Sequence, residues 1–368
     1  MRRKRLTWIV LVAVGLIIPL LCLLYVYSSC TTPGPAAPPP LLEFDAAGAG
    51  MSAPGLAFSP DSRWLAFTDG HAVRICDLAN DRTAQKLHAF PKDEMSFVVF
   101  THDSKAVLIS TWSERLHIVE VPSGELRQSI SFDGRKYAGK LAASPISDSV
   151  AAIVHYQEAI APRTSRAETA LEVFRLSEPL RRKTLIPSSA YDEVLAFSSD
   201  GGILMTLEHD RSKIQLWTMP EGQRSSEVPT YPDTFAAAID SRAERIASGG
   251  RNEQIQLWSV AENRKIDSWS ARAIVDALAF HPSGNLVAAC NHHKCFHFGL
   301  VAATNMGATI TVWDQRGSRQ NSFRFFDVAA HAIAISPDGK LFAASGADKG
   351  RYVVKVWDWD AVDGTKRD

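Results

Sequence analysis

The segment IAISPDGKLFAAS, residues 333–345, consists of two short apolar runs separated by a polar turn. Within the turn, Pro337 presets the backbone for the first central position of a type I turn, and Asp338 and Gly339 suit the positions that follow it. Short apolar runs bounded by turn residues are typical of buried β-strands. The segment therefore predicts two antiparallel strands joined by a tight turn.

The same pattern recurs in six other segments of the chain. When the third residue of each first strand is taken as a reference position, successive copies are 42, 43, 54, 42, 41 and 55 residues apart. The chain therefore contains seven copies of a unit of about 42 residues, and two intervals are lengthened by about 12 residues. The reference positions are Phe58, Phe100, Ala143, Phe197, Ile239, Phe280 and Ile335.

Each copy continues with a third β-rich segment and a more polar fourth stretch, and four short strands are the unit of a β-propeller blade. The residue before the reference position is alanine in six of the seven copies. Small residues fit where innermost strands converge on a narrow channel. We therefore predict an all-β fold, a seven-bladed β-propeller. The third segments begin at Val73, Leu116, Leu171, Ile214, Ile255, Ile310 and Val354.

Two of the third segments contain the tripeptide VWD, at Val312–Asp314 and Val356–Asp358. Together with the SPDG-type turns, these tripeptides resemble the WD-repeat propellers over about residues 41–360. The turns are also similar to those in the propeller of bacterial Tol-system proteins. Trp217 and Trp258 keep the tryptophan without the aspartate, so the WD repeats are degenerate. The resemblance implies a propeller that binds other proteins. In three repeats the tryptophan is replaced, by Cys76, Val119 and Phe174.

The last repeat has one strand fewer than the others, because the chain stops soon after its third segment. An orphan strand candidate, LLEFDAA at Leu41–Ala47, precedes the first repeat. Pairing of this strand with the C-terminal strands would complete the seventh blade and remove exposed sheet edges. We therefore predict a propeller domain over residues 41–368, with residues 41–47 as its closing strand.

The N-terminus indicates a single-pass membrane anchor. Residues 1–6 form a basic stub, and Thr7–Tyr27 form a run of 21 uncharged residues, the length that a helix needs to cross a bilayer. The stub is expected to stay cytoplasmic, with the propeller outside the cytoplasm, on the periplasmic side of a bacterial membrane. Residues 28–40 form a Pro-rich linker, and its last ten residues are expected to be a stiff spacer of roughly 30 Å. Lipidation at Cys30 and cleavage of the apolar segment are alternatives that also export the propeller.

Residues 290–298, CNHHKCFHF, contain two cysteines and three histidines, side chains that zinc and copper prefer. Cys290, His293, Cys295 and His297 are the candidate metal ligands, and an extended backbone would point the last three to one side. Two other interpretations stay open. Cys290 and Cys295 form a disulfide in an oxidising compartment, or Cys290 packs as a small apolar residue beside an ordinary loop.

Composition and motifs give no support to two classes of function, nucleic-acid binding and enzyme catalysis. The chain has 40 basic and 40 acidic residues and no basic block beyond its N-terminus, so nucleic-acid binding gains no support. It contains no G-x-S-x-G, no H-E-x-x-H and no Gly-rich phosphate loop, so we do not expect an enzyme.

The two lengthened repeats carry their extra residues between the second and third strands, near Gln157–Thr169 and Cys290–Asn305. In a propeller both insertions would lie on one face, and loops on a rigid scaffold commonly carry binding sites. We predict a scaffold whose protein partners bind the face that carries these insertions. The alternatives are a propeller that binds a metal or small ligand, and a propeller enzyme whose catalytic residues come from several blades.

Overall fold

The computed structural model of the chain contains seven four-stranded antiparallel sheets in the part that it describes. Each sheet is one blade, and six of the blades are formed by four consecutive strands. The predicted all-β, seven-bladed propeller is therefore confirmed. The described residues are 35–46, 55–91, 93, 95–111, 115–132, 136–157, 167–187, 195–208, 213–294 and 304–363.

The strands are numbered along the chain, beginning with β1 (Leu42–Ala46). Blades one and two comprise β2 (Leu56–Phe58), β3 (Trp64–Asp69), β4 (Ala72–Asp77), β5 (Ala84–Ala89), β6 (Met95–Phe100), β7 (Ala106–Thr111), β8 (Arg115–Glu120) and β9 (Leu126–Ser131). Blades three and four comprise β10 (Lys136–Ala143), β11 (Ser149–Gln157), β12 (Ala167–Arg175), β13 (Glu178–Pro187), β14 (Leu195–Phe197), β15 (Ile203–Leu207), β16 (Lys213–Thr218) and β17 (Gln223–Pro229). Blades five and six comprise β18 (Thr234–Ile239), β19 (Arg245–Gly250), β20 (Gln254–Ser259), β21 (Arg264–Ser270), β22 (Ile274–Phe280), β23 (Leu286–Lys294), β24 (Thr304–Trp313) and β25 (Arg319–Phe326). Blade seven comprises β26 (Ala329–Ile335), β27 (Leu341–Asp348), β28 (Arg351–Asp358) and β1, and is followed by the short helix α1 (Trp359–Asp363).

The sequence repeat and the strands coincide. The first strand of every blade ends at the reference position of its repeat, from Phe58 in β2 to Ile335 in β26. These first strands contact those of the neighbouring blades, and β26 also contacts β2, so they form a closed inner ring. The third-strand position of tryptophan is buried in all seven blades, including those with Cys76, Val119 and Phe174. The sequence repeat is therefore a repeat of core packing.

The turn predicted at Ser336–Gly339 is present. The amide of Gly339 donates to the carbonyl of Ser336 at 2.8 Å, and the hydroxyl of Ser336 donates to the Asp338 carboxylate at 2.6 Å. Gly339 has a φ of 74°, and a Cβ there would lie 2.7 Å from Nε2 of His281 in the preceding blade. Both the backbone and the neighbouring side chain therefore favour glycine at this position.

Strand β1 completes the seventh blade. It pairs antiparallel with β28, with Leu42 opposite Val356. Its Phe44 side chain stacks on Phe67 of blade one, with ring centroids 5.5 Å apart. The strand has the position that the sequence predicts for Leu41–Ala47. It pairs with β28 within blade seven and also contacts blade one through Phe44.

The spacer prediction is wrong for the second half of the Pro-rich linker, which is docked on the propeller. The amide of Ala37 donates to the carbonyl of Arg324 at 3.0 Å, and the amide of Arg324 donates to the carbonyl of Pro35 at 2.8 Å. The indole of Trp357 donates to the carbonyl of Pro38 at 3.0 Å. Because β25 is an outer strand, its edge offers backbone groups that this extended, proline-rich segment can pair with.

The predicted anchor Thr7–Tyr27 and the alternative lipidation site Cys30 lie outside the described residues. In the described part of the chain, no helix is both long enough and apolar enough to span a bilayer. The membrane anchor therefore stays a prediction from the sequence.

Candidate functional site

Each blade has two ends, and these define two faces of the propeller. On the hairpin face, the second strand of each blade turns into the third, and the first strand begins. In blade three, for example, Lys136 at the start of β10 lies opposite Tyr156 near the end of β11. On the turn face, the first strand is joined to the second by the turns of the SPDG type.

The two lengthened repeats form the longest hairpins on the hairpin face. Strands β11 and β12 have nine residues each, and β23 and β24 have nine and ten, whereas the corresponding strands of the other blades have five to eight. The ladders run as far as Gln157 opposite Ala167 and Lys294 opposite Thr304. Part of each predicted insertion is therefore paired β-structure, and residues 158–166 and 295–303 lie outside the described residues.

The mouth of the channel on this face is shaped by a repeated β-bulge. In five blades the pairing between the first and second strands shifts register near the hairpin face. A bulge leaves a residue out of the ladder and re-aims its side chain. These five shifts fall at or next to residues that lie four positions before the reference position. Those residues are Ser96, Gly139, Phe235, Asp276 and His331.

Asp276 and His331 lie on neighbouring blades and are linked through Asn291 of β23. The side-chain amide nitrogen Nδ2 of Asn291 donates to the Asp276 carboxylate and, at 2.8 Å, to the backbone carbonyl of Ala330. The side-chain oxygen Oδ1 of Asn291 accepts from the backbone amide of Ala330 at 2.9 Å. A single side chain therefore ties blade six to the backbone of blade seven beside His331.

The sequence analysis did not identify Asp276 or Phe235 as residues of the mouth. Their common register is visible once the repeats are aligned on the reference position. What the alignment does not show is that a bulge occurs there, because the bulge depends on how β22 and β26 pair with the strands beside them.

The His331 side chain is exposed, but the protein around it partly desolvates the imidazole and lowers its pKa, and the carboxylate of Asp276 opposes this by favouring the charged form. We therefore expect the substitution Asp276→Asn to lower the pKa of His331 further. A titration of the histidine ring signals by NMR, in the variant and in the parent protein, measures the change. In the control Asp267→Asn, on the exposed outer strand β21, the pKa of His331 should not move; a rise in Asp276→Asn would contradict the assignment.

The predicted metal ligands are only partly within the described residues. Cys290 is fully buried in the core between blades five and six, and burial raises the pKa of its thiol to about 12. A metal ligand must be a thiolate, so this environment favours the interpretation that Cys290 packs as an apolar residue. His293 lies in β23 opposite Asn305, and Cys295 and His297 are outside the described part.

Metal binding by His293, Cys295 and His297 stays a prediction. Cys290 is a free, buried cysteine, which contradicts the alternative of a disulfide with Cys295. Among the residues that the structure describes, no group of three or more His, Cys, Asp and Glu side chains could hold a metal ion. The prediction therefore depends on the segment 295–303, between β23 and β24.

Comparisons with known proteins agree with the fold. No family model matches the chain. A region of 160 residues is 19% identical to eukaryotic translation initiation factor 3 subunit I of Lodderomyces elongisporus and covers 43% of each protein. The chain thus spans less than half the length of this curated relative. A chain in the crystal structure of the mitotic checkpoint complex superposes with a TM-score of 0.66 at 16% identity, over 89% of this chain and 96% of that one.

The comparisons support a WD-repeat-type β-propeller. At these identities the structural likeness concerns the fold alone. Propellers of this type generally mediate interactions between proteins, and both similar proteins are named as parts of assemblies.

Proposed function

We propose that this protein is a non-catalytic, membrane-anchored scaffold that binds a protein partner through its hairpin face. The observation that carries the proposal is the pair of long hairpins, β11–β12 and β23–β24, which rise from blades three and six on the face that also holds the bulged channel mouth. These blades are about half a ring apart, so a partner that contacts both hairpins would cover the channel mouth between them.

The anchor and the location belong to the same proposal. The apolar segment Thr7–Tyr27, preceded by basic residues, supports an anchor whose propeller lies outside the cytoplasm, on the periplasmic side in a bacterium. Because residues 35–40 are docked on β25 and β28, the spacer in this proposal shortens to residues 28–34. At about 3.1 Å per residue, it would hold the outer edge of blades six and seven within roughly 20 Å of the membrane.

Shortening the two hairpins tests the proposed partner face. In one variant, residues 156–168 and 292–307 are each replaced by Asn-Gly, which favours a two-residue hairpin turn. The flanking pairs, His155 with Thr169 and Asn291 with Ala308, are kept. We expect this variant to lose the cross-linked protein partner that the full-length protein captures in its native membranes, because the raised contact surface is gone.

The matched control is the same operation on blade four, where residues 209–212 connect strands of ordinary length. Replacement of these four residues by Asn-Gly changes the connection between β15 and β16 without removing a long hairpin. The control should capture the partner as the parent protein does. If the shortened variant and the parent protein recover the same proteins, or if neither recovers any, the hairpin face is not the binding surface.

A further inference from the structure

We propose that the outer edge of blade six is a membrane-contact surface, on which Arg316, Arg319 and Arg324 bind anionic phospholipid headgroups of the membrane that holds the anchor. The inference rests on the anchor proposed above, because the anchor brings this edge to the membrane. It adds a second contact with the lipid, made by the propeller itself and separate from the hairpin face.

The outer edge of blade six has no acidic residue to balance its basic ones. Residues 315–326, which include β25 and most of the turn before it, contain three arginines and no Asp or Glu. In each of the other six blades, the outer strand or the turn before it contains at least one acidic residue. Examples, one from each blade, are Asp81, Glu125, Glu178, Glu221, Glu262 and Glu43.

The arginines of blade six also differ from other outer-strand arginines in their partners. In blades two to five, each arginine of the outer strand forms an ion pair with a carboxylate. Arg316, Arg319 and Arg324 are exposed, and within the described residues none of the three forms such a pair. Their guanidinium groups can therefore bind phosphate oxygens, in the bidentate geometry that arginine favours. The pairs in blades two to five are Arg127–Glu120, Arg181–Glu178, Arg182–Glu172, Arg224–Glu227 and Arg264–Glu262.

The docked linker places this edge beside the membrane. The backbone of Arg324 pairs with the linker on both sides of Ala36, through the carbonyl of Pro35 and the amide of Ala37. The spacer 28–34 then keeps Arg324 within roughly 20 Å of the anchor. A short tether gives the edge a high effective concentration at the headgroups, so a contact made by three charges can form even where a free protein would not bind.

The backbone of the edge is positioned before any lipid binds. The Asp314 carboxylate accepts hydrogen bonds from the backbone amides of Arg316 and Ser318, both at 2.8 Å. The amide of Gly317 donates to the carbonyl of Asp314 at 3.0 Å, which closes the turn that carries Arg316. Contact with lipid would therefore cost mainly the side-chain entropy of the arginines.

The spacing of the arginines favours an extended anionic surface over a single small anion. Arg319 and Arg324 are five residues apart on one strand, a distance of about 17 Å. A bilayer with anionic lipids presents many phosphates over such a distance and attracts clusters of basic residues. A nucleic acid also presents many phosphates, but the anchor supplies lipid, and not nucleic acid, at this edge.

Arginine modification tests the contact residue by residue. The full chain is incorporated into lipid nanodiscs of phosphatidylcholine, with or without phosphatidylglycerol, and the rate of reaction of each arginine with phenylglyoxal is measured by mass spectrometry. We expect Arg316, Arg319 and Arg324 to react at least threefold more slowly in the anionic discs at low salt. High salt should remove the difference, because exposed charges are screened. Arg127 and Arg264 should react equally in the two kinds of disc.

Hydrogen exchange with a matched pair of variants gives an independent measurement. In the parent protein, amide exchange in residues 319–326 should be slower in anionic discs than in neutral ones. The triple variant Arg316→Gln, Arg319→Gln and Arg324→Gln should lose this difference. The control Arg127→Gln, Arg224→Gln and Arg264→Gln removes the same charge from other outer strands and should keep it.

Three results would overturn the proposal, and they can be told apart. Equal modification rates in the two kinds of disc, with the chain incorporated, would overturn the lipid contact and leave the anchor standing. Failure of the chain to incorporate into any disc would overturn the anchor and the contact together. Protection of the three arginines by added DNA in neutral discs, as strong as that by anionic lipid, would show a general affinity for polyanions instead of a membrane-contact surface.

Discussion

Replacing Leu42–Ala46 by Gly-Ser-Gly-Ser-Gly in the full chain is expected to abolish the cooperatively folded propeller. The replacement removes Leu42 and Phe44 from the core that they share with Phe58, Leu65 and Val354. Both side chains are partly buried, so each loss is expected near the lower end of the usual cost of about 2–5 kcal/mol, and the two together are a large share of the stability of a typical domain, about 5–15 kcal/mol.

The loss of β1 also leaves β28 as an exposed edge. β1 pairs with β28 over all five of its residues, and Arg74 of blade one donates to the carbonyl of Asp45 at 3.0 Å. An unpaired, largely apolar edge is a template for pairing with another chain. We therefore expect the variant to associate as well as to unfold at lower denaturant concentration.

Urea unfolding followed by tryptophan fluorescence, together with size-exclusion chromatography, measures both effects. The control changes Leu42→Val and Phe44→Leu, which keeps a strand of similar shape with an apolar inner side and should leave a monomeric, cooperative propeller of slightly lower stability. A Gly-Ser variant that unfolds with the midpoint and slope of the parent protein would show that the ring does not depend on this closure.

Local patterns were enough to predict the blades. The first strands end at the reference positions because the apolar runs and the turn residues are both encoded within a dozen residues, as in IAISPDGKLFAAS. The interval of about 42 residues then fixes the number of blades, since each repeat supplies one sheet.

Features that depend on a distant partner could not be predicted in the same way. The Pro-rich segment is a spacer by composition, yet Ala37 pairs with Arg324 and Pro38 with Trp357, which are 287 and 319 residues away in sequence. The bulges at Asp276 and His331 depend on the register of neighbouring strands.

A buried ion pair in blade seven was also invisible to sequence reasoning. Lys355, in the middle of the apolar strand β28, is buried, and its ammonium group lies 2.5 Å from Oδ2 of Asp348 and 3.9 Å from Oε2 of Glu43. The ammonium group also lies 5.3 Å from the centre of the Phe326 ring. A lysine in this position is tolerated because a carboxylate from the preceding strand, at the hairpin end, neutralises it.

We expect Asp348→Ala to destabilise the protein by about 3 kcal/mol, because removing one partner of a buried pair leaves an uncompensated charge. The more distant Glu43 carboxylate keeps the loss near the lower end of the usual range of about 3–5 kcal/mol. Adding Lys355→Met to the variant removes the buried charge and should restore at least half of the loss. The control Asp45→Ala breaks the exposed pair with Arg351 and should change the stability little.

The pH dependence identifies the carboxylate as the source of the effect. Burial raises the pKa of Asp348, but the hydrogen bond and charge of Lys355 outweigh it and hold that pKa below its ordinary value. The contribution of Asp348 is therefore present above pH about 4, the pKa of an unfolded aspartate, and is lost as the pH falls through the lower pKa of the folded state. Urea midpoints of the parent protein and Asp348→Ala, measured from pH 7 downward, should differ by a constant amount to about pH 5 and converge below pH 4. A difference that stays constant to pH 3 would mean that Asp348 stabilises blade seven through packing and not through its charge.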